Sequence, residues 1–168
     1  MKDNIFLIGF MGAGKSTVAA GLKSMTGKKL VEMDQRIVDE HGMSINDIFA
    51  KYGEDYFRDI ESNLILDIGK EGNTIVSCGG GVVVRSQNRT YMKNSGLVIY
   101  LCATPLTIYE RVKDSTDRPI LNGHMNVEYI GSLMEKRRAL YEEAADITID
   151  VDGKTTQAIC EEILKQIP

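Results

Sequence analysis

Short apolar runs alternate along the chain with longer stretches whose apolar residues recur every three or four positions. The runs at 5–8, 29–33, 74–77, 97–101 and 147–151 have strand length and read as buried strands. Between them the spacing predicts helices over 15–25, 35–40, 45–69, 87–93, 105–113, 126–145 and 155–166, with Gly53 a possible break in the long one. Ser44, with Asp47 three residues on, marks a helix start, and Pro105 suits a first helical turn. This alternation predicts an α/β fold, with a parallel sheet covered by helices on both faces. No repeat, low-complexity tract or linker interrupts the pattern, so 1–168 is expected to form one domain. The stretch 114–124, with Arg118-Pro119 and Asn122-Gly123, lacks an apolar period and carries two turn signals. It reads either as a plain surface loop or as a mobile lid.

Residues 9–17, Gly-Phe-Met-Gly-Ala-Gly-Lys-Ser-Thr, directly follow the first apolar run and lead into a helix-forming stretch. In that setting Gly-x-x-x-x-Gly-Lys-Ser is a phosphate-binding loop. Gly9, Gly12 and Gly14 allow the chain to turn with its N–H groups inward, and the next helix presents its positive end to the same anion. Lys15 adds a full charge against the outer phosphates, and the Ser16 hydroxyl can ligate Mg²⁺. The chain is therefore expected to bind a nucleoside triphosphate, with Gly12, Ala13, Gly14, Lys15, Ser16 and Thr17 as the ligands.

Ligands of parallel α/β sheets bind beyond the carboxyl ends of the strands. The second strand delivers Glu32-Met33-Asp34, and in an extended segment the two carboxylates would share a face. One can serve Mg²⁺ and the other a reacting hydroxyl; alternatively, Asp34 caps the following helix and Glu32 is merely exposed. The third strand runs into Cys78-Gly79-Gly80-Gly81, which offers close backbone approach to a small ligand or makes a flexible turn. In the stretch 126–145, Arg137 falls at the centre of the apolar face, with Lys136 and Arg138 to either side. An arginine there calls for an anionic partner or an open cavity. Arg58 lies three positions before Glu61; the two either form a structural ion pair or present Arg58 to an anionic ligand.

Composition adds exclusions. With 43% hydrophobic and 26% charged residues, the chain reads as soluble and globular. A net charge of −4 argues against a nucleic-acid partner. No run approaches a membrane span, and Cys78, Cys102 and Cys160 fit neither a zinc site nor a disulfide framework, so a cytoplasmic setting with free thiols is expected.

Taken in order, these residues resemble the shikimate kinase family. The resemblance runs from the phosphate loop to Arg137 and rests on Gly-Ala-Gly-Lys-Ser-Thr, Asp34, Gly53-Glu54, Phe57-Arg58 with Glu61, the triple glycine, Arg118-Pro119, and Arg137 with Tyr141 four residues later. It implies a P-loop three-layer sandwich with a five-stranded parallel sheet and a mobile lid, and ATP-dependent phosphorylation of the shikimate 3-hydroxyl with Mg²⁺. It further implies a helical segment at about 34–61 that helps bind shikimate. Asp34, Arg58, Gly80 and Arg137 would be shikimate ligands, with Gly79 and Gly81 lining the site. Lys15, Asp34 and Arg118 would be catalytic, Arg118 reaching the transferring phosphate from the lid, and Arg111 would stack on adenine. A monomer is expected. The family usually has aspartate where this chain has Glu32, which keeps the charge but moves the carboxylate by one methylene.

Overall fold

The computed structural model describes residues 3–114 and 125–168. Asn4–Ile8 (β1) is buried along its whole length at the centre of a five-stranded sheet. Around it lie Lys29–Glu32 (β2), Thr74–Ser77 (β3), Gly96–Cys102 (β4) and Ile147–Asp150 (β5), in the order β2-β3-β1-β4-β5. Every pairing is parallel; Ile5, for example, aligns with Ile75 on one side and Leu97 on the other. The chain builds one half of the sheet and then crosses β1 to build the other. The carboxyl end of β1 is thus the point where strand order reverses, the expected place for a ligand in such a sheet.

Alternation along β1 sorts the core into two layers. Ile5 and Leu7 face a cluster with Val18 and Leu22 of Lys15–Thr26 (α1), Ile108 of Pro105–Val112 (α6), and Ile159 and Ile163 of Thr156–Gln166 (α8). Phe6 and Ile8 face the other cluster, with Ile37 of Met33–His41 (α2), Ile48 of Ile45–Tyr52 (α3), Ile65 of Glu54–Glu71 (α4) and Met92 of Ser86–Ser95 (α5). Val127–Ala144 (α7) contributes to both: Ile130 packs in the first cluster, Tyr141 and Ala144 in the second. Arg137 lies between them on the helix and belongs to neither cluster. The apolar face read from the sequence is therefore two core contacts separated by a polar interval.

Local signals set most boundaries. Ser44 caps α3 by accepting from the Asp47 N–H at 3.1 Å, and Pro105 opens α6 behind a Thr104 cap. The predicted long helix is divided at Gly53, whose φ of 88° and ψ of 172° suit essentially glycine alone. One boundary differs from expectation. Helix α2 begins at Met33, so Met33 is helical and Asp34 sits in the first turn, after a Glu32 cap position. An apolar residue buried at a strand end carries no period that tells strand from helix. The shared extended face expected for Glu32 and Asp34 is thereby corrected, and so is the alternative in which Asp34 is the cap. The three cysteines are free, Cys78 and Cys160 buried and Cys102 partly so.

Replacing Gly53 with alanine should destabilise the protein by about 1–3 kcal/mol, the strain of a side chain in that backbone region. Urea unfolding of Gly53→Ala measures it; an unchanged midpoint would show that the α3–α4 junction relaxes freely.

Candidate active site

A cleft of about 850 Å³ opens over the carboxyl ends of β1, β2 and β3 and runs continuously from the phosphate loop to the triple glycine. At one end the loop wraps Lys15, whose Nζ donates to the Gly9 carbonyl at 2.6 Å and the Phe10 carbonyl at 3.2 Å. Gly12, Ala13, Gly14, Ser16 and Thr17 line the same end. Arg111 reaches over from α6 and donates to the Gly12 carbonyl at 3.0 Å, which places its guanidinium on the rim. Lys154, Thr156 and Ile159 also border this end; they follow β5 and carry no motif that sequence could flag.

Between the two ends, the Ser16 hydroxyl donates to Glu32 Oε2 at 2.9 Å and lies 3.3 Å from the Ser77 hydroxyl. The contact follows from register, since β2 and β3 pair Glu32 with Ser77. Among the described residues no cluster of three His, Cys, Asp or Glu side chains forms a closed metal cage. A hydroxyl touching a carboxylate beside a phosphate loop is nevertheless a donor set that suits Mg²⁺, which keeps waters and phosphates in most of its coordination positions.

At the far end, α2 brings Asp34, α4 brings Arg58 and Glu61, and α7 brings Arg137 around the glycine turn. Arg58 Nη1 meets Glu61 Oε1 at 2.6 Å, and both side chains are almost wholly buried. Arg58 also reaches Glu54 at 3.4 Å. The ion pair anticipated as one alternative thus exists, yet it leaves Arg58 Nε and Glu61 Oε2 buried without a hydrogen-bond partner among the described residues. The glycines accommodate this pair. A Cβ on Gly81 would stand 2.5 Å from Arg58 Nη1, and one on Gly79 would stand 2.8 Å from Glu61 Oε2 and 3.0 Å from Asp34 Oδ1. A Cβ on Gly80 would come no nearer than 3.4 Å to Met11 N and 3.8 Å to Arg137 Nη1. Arg138, by contrast, is exposed and pairs with Glu135 at 3.5 Å.

Of the residues singled out from sequence, Gly12, Ala13, Gly14, Lys15, Ser16, Thr17, Glu32, Asp34, Arg58, Gly79, Gly80, Gly81, Arg111 and Arg137 all border this cleft. Arg118 and the lid stretch at 115–124 lie outside the described residues. Ser77, Phe49 and Phe57 were not singled out as site residues but line the cleft too. The two phenylalanines pack 4.9 Å apart, Phe57 within the core and Phe49 against it.

Comparison with known proteins agrees with the geometry. The family model described as shikimate kinase matches residues 11–168. A shikimate kinase of Dehalococcoides mccartyi is 44% identical over 162 residues, covering 96% of this chain and 92% of the relative. The solved structure of shikimate kinase from Acinetobacter baumannii in complex with shikimate superposes with a TM-score of 0.93 at 30% identity, over 98% of this chain and 92% of that one. That of shikimate kinase from Aquifex aeolicus gives 0.84 at 34% identity, over 96% and 94%.

Burial pushes the Glu61 carboxyl above the usual glutamate range, and the Arg58 cation opposes that shift without cancelling it. The native state therefore binds this proton more tightly than the unfolded chain. The stability that Glu61 contributes is fullest below its unfolded pKa and is lost as pH rises to its folded value. Glu61→Gln should flatten that part of the stability profile, read as urea midpoints over a pH series that begins below the usual glutamate range and rises past it. Parallel profiles for the two proteins would contradict the shift.

Proposed function

This chain belongs to the shikimate kinase family, and from that premise we propose how its cleft is divided between ATP and acceptor. The reaction is transfer of the γ-phosphoryl group of ATP to the shikimate 3-hydroxyl, a step of aromatic amino acid biosynthesis. The observation that carries the division of labour is the continuity of the cleft, with Lys15 at one end and Arg58, Arg137 and Asp34 around the glycine turn at the other.

Phosphoryl transfer passes through a loose transition state, so the protein's task is positioning and charge stabilisation. The loop amides of Gly12, Ala13, Gly14, Ser16 and Thr17, with Lys15, hold the phosphates, and Arg111 borders the adenine. Ser16 and Glu32 would hold Mg²⁺, which supplies charge neutralisation at the phosphate oxygens. Arg58 and Arg137 hold the shikimate carboxylate through charge-assisted bonds. Gly79, Gly80 and Gly81 offer backbone to the ring hydroxyls. Asp34 orients the 3-hydroxyl and accepts its proton late in the transfer. Arg118, outside the described residues, would stabilise the transferring group, and the segment 34–61 shapes the acceptor end of a single domain. The enzyme works as a cytoplasmic monomer without nucleic-acid or membrane partners; no helix among the described residues is long and apolar enough to cross a membrane. Release of ADP from ATP, titrated with Mg²⁺ and compared for shikimate, quinate and gluconate, tests the acceptor and the metal together.

Arg137→Ala should weaken shikimate binding by about 2–5 kcal/mol and leave ATP affinity nearly unchanged, while Arg138→Ala should do far less. Calorimetric titration of both variants checks this, and equal effects would remove Arg137 from the carboxylate site.

Asp34→Asn keeps the size of the side chain and removes the proton acceptor. Turnover should fall by roughly 10²–10⁴, the range for a positioned general base, with little change in ATP affinity. Near-normal kcat in steady-state assays would make Asp34 no more than a first-turn acid favouring the α2 dipole.

A further inference from the structure

The function proposed above gives no task to Tyr141. Its ring is buried and stacks on Tyr100, with centroids 5.0 Å apart and planes at 19°. Its hydroxyl donates to the Gly80 carbonyl at 2.5 Å, joining positions 61 residues apart. Burial pushes the phenol up to about 12, and the neighbouring Arg137 cation is the foremost influence pulling it back. The phenol is thus neutral at physiological pH. Its one proton is committed to Gly80, and its lone pairs remain for a donor such as the guanidinium beside it.

The glycine turn needs such an anchor. Gly79 and Gly81 are hemmed in by Glu61, Asp34 and Arg58, but Gly80 has room for a Cβ and so no steric wedge that would fix its peptide plane. A trans peptide is rigid, so holding the Gly80 carbonyl toward Tyr141 turns the Gly81 N–H the opposite way. Arg137 lies one helical turn before Tyr141, so the same phenol also faces that arginine.

We propose that Tyr141 is a positioning residue: its hydroxyl locks the Gly80 peptide plane and the Arg137 side chain to each other. It thereby fixes the spacing between the group that takes the substrate carboxylate and the backbone that takes its hydroxyls. This rests on Arg137 holding the carboxylate, as proposed above. Tyr141 touches no reacting atom; it acts through the two groups it joins.

Tyr141→Phe keeps the ring and the stack and deletes only the oxygen. The kcat/KM for shikimate, which stays measurable when binding is weak, should fall about tenfold, the effect of one hydrogen bond engaging a charged group. ADP affinity, measured by calorimetry, should stay within about twofold, and Tyr100→Phe, altering the other ring of the stack, should change neither. In the Arg137→Ala background, Tyr141→Phe should cost clearly less than tenfold, because only its hold on the Gly80 peptide is left to lose. Unchanged kcat/KM in Tyr141→Phe overturns the proposal. So do equal losses for shikimate and ADP, which mark a structural role, and a tenfold loss that persists without Arg137. If Arg137→Ala itself leaves shikimate kinetics unchanged, the carboxylate assignment fails first. A large Arg137→Ala effect beside a silent Tyr141→Phe refutes the positioning role alone.

Discussion

The glycine-turn end of the cleft depends on one buried ion pair. Arg58 and Glu61 meet at 2.6 Å with almost no exposure, and charges at that depth lose hydration that only good geometry can replace. The surroundings follow from that requirement. Gly79 and Gly81 lack side chains where the carboxylate and the guanidinium lie. The Phe57 ring sits 5.3 Å from the guanidinium carbon, and Ser62 donates back to the Arg58 carbonyl at 3.0 Å. Burial works against the Arg58 cation, but Glu61 and Glu54 outweigh it and raise its pKa, so the charge is secure. A pair left with Arg58 Nε and Glu61 Oε2 unpartnered among the described residues is a poor stabiliser. In the function proposed above its value is orientation, because Glu61 fixes the guanidinium at the cleft in advance.

The same helix is tied to the glycine turn from outside. Arg85, just past the turn, meets Asp59 at 2.6 Å and the Asp55 carbonyl at 3.4 Å, both on α4. Asn88, fully buried, donates to the Val82 carbonyl at 3.0 Å, and Arg89 donates to that of Val83 at 2.6 Å. The short turn at Val82–Val84 is thus fastened to α4 and α5, and the triple glycine is suspended between fixed ends. Three glycines in sequence suggest mobility; hydrogen bonds from four side chains, Tyr141 included, make this backbone part of the scaffold.

What the sequence made legible, and what it hid, divides along the range of the interactions. The strands, the break at Gly53 and the phosphate loop rest on neighbours within a turn or two, and apolar period and glycine placement report those. Arg137 stood out because periodicity put a charge among apolar positions, though the face proved to be two separate core contacts. Asp34 was placed correctly at the cleft for an incorrect local reason, since the chain turns helical one residue before it. The Ser16–Glu32–Ser77 contact and the Tyr141–Gly80 bond join residues 16 to 61 positions apart. Nothing in local pattern encodes them; they follow from strand register and from α7 crossing between the two core layers.

Register also places the Glu32 carboxylate. Parallel pairing of β2 with β3 sets Glu32 beside Ser77, at strand ends that stop together. The P-loop serine arrives from α1, on the neighbouring layer, so a carboxylate must reach across to meet it. Glu32 spans that gap and accepts the Ser16 hydroxyl at 2.9 Å, while its backbone ends the strand and occupies the cap position of α2. The fold tolerates this contact because the carboxylate borders an open cleft rather than the core.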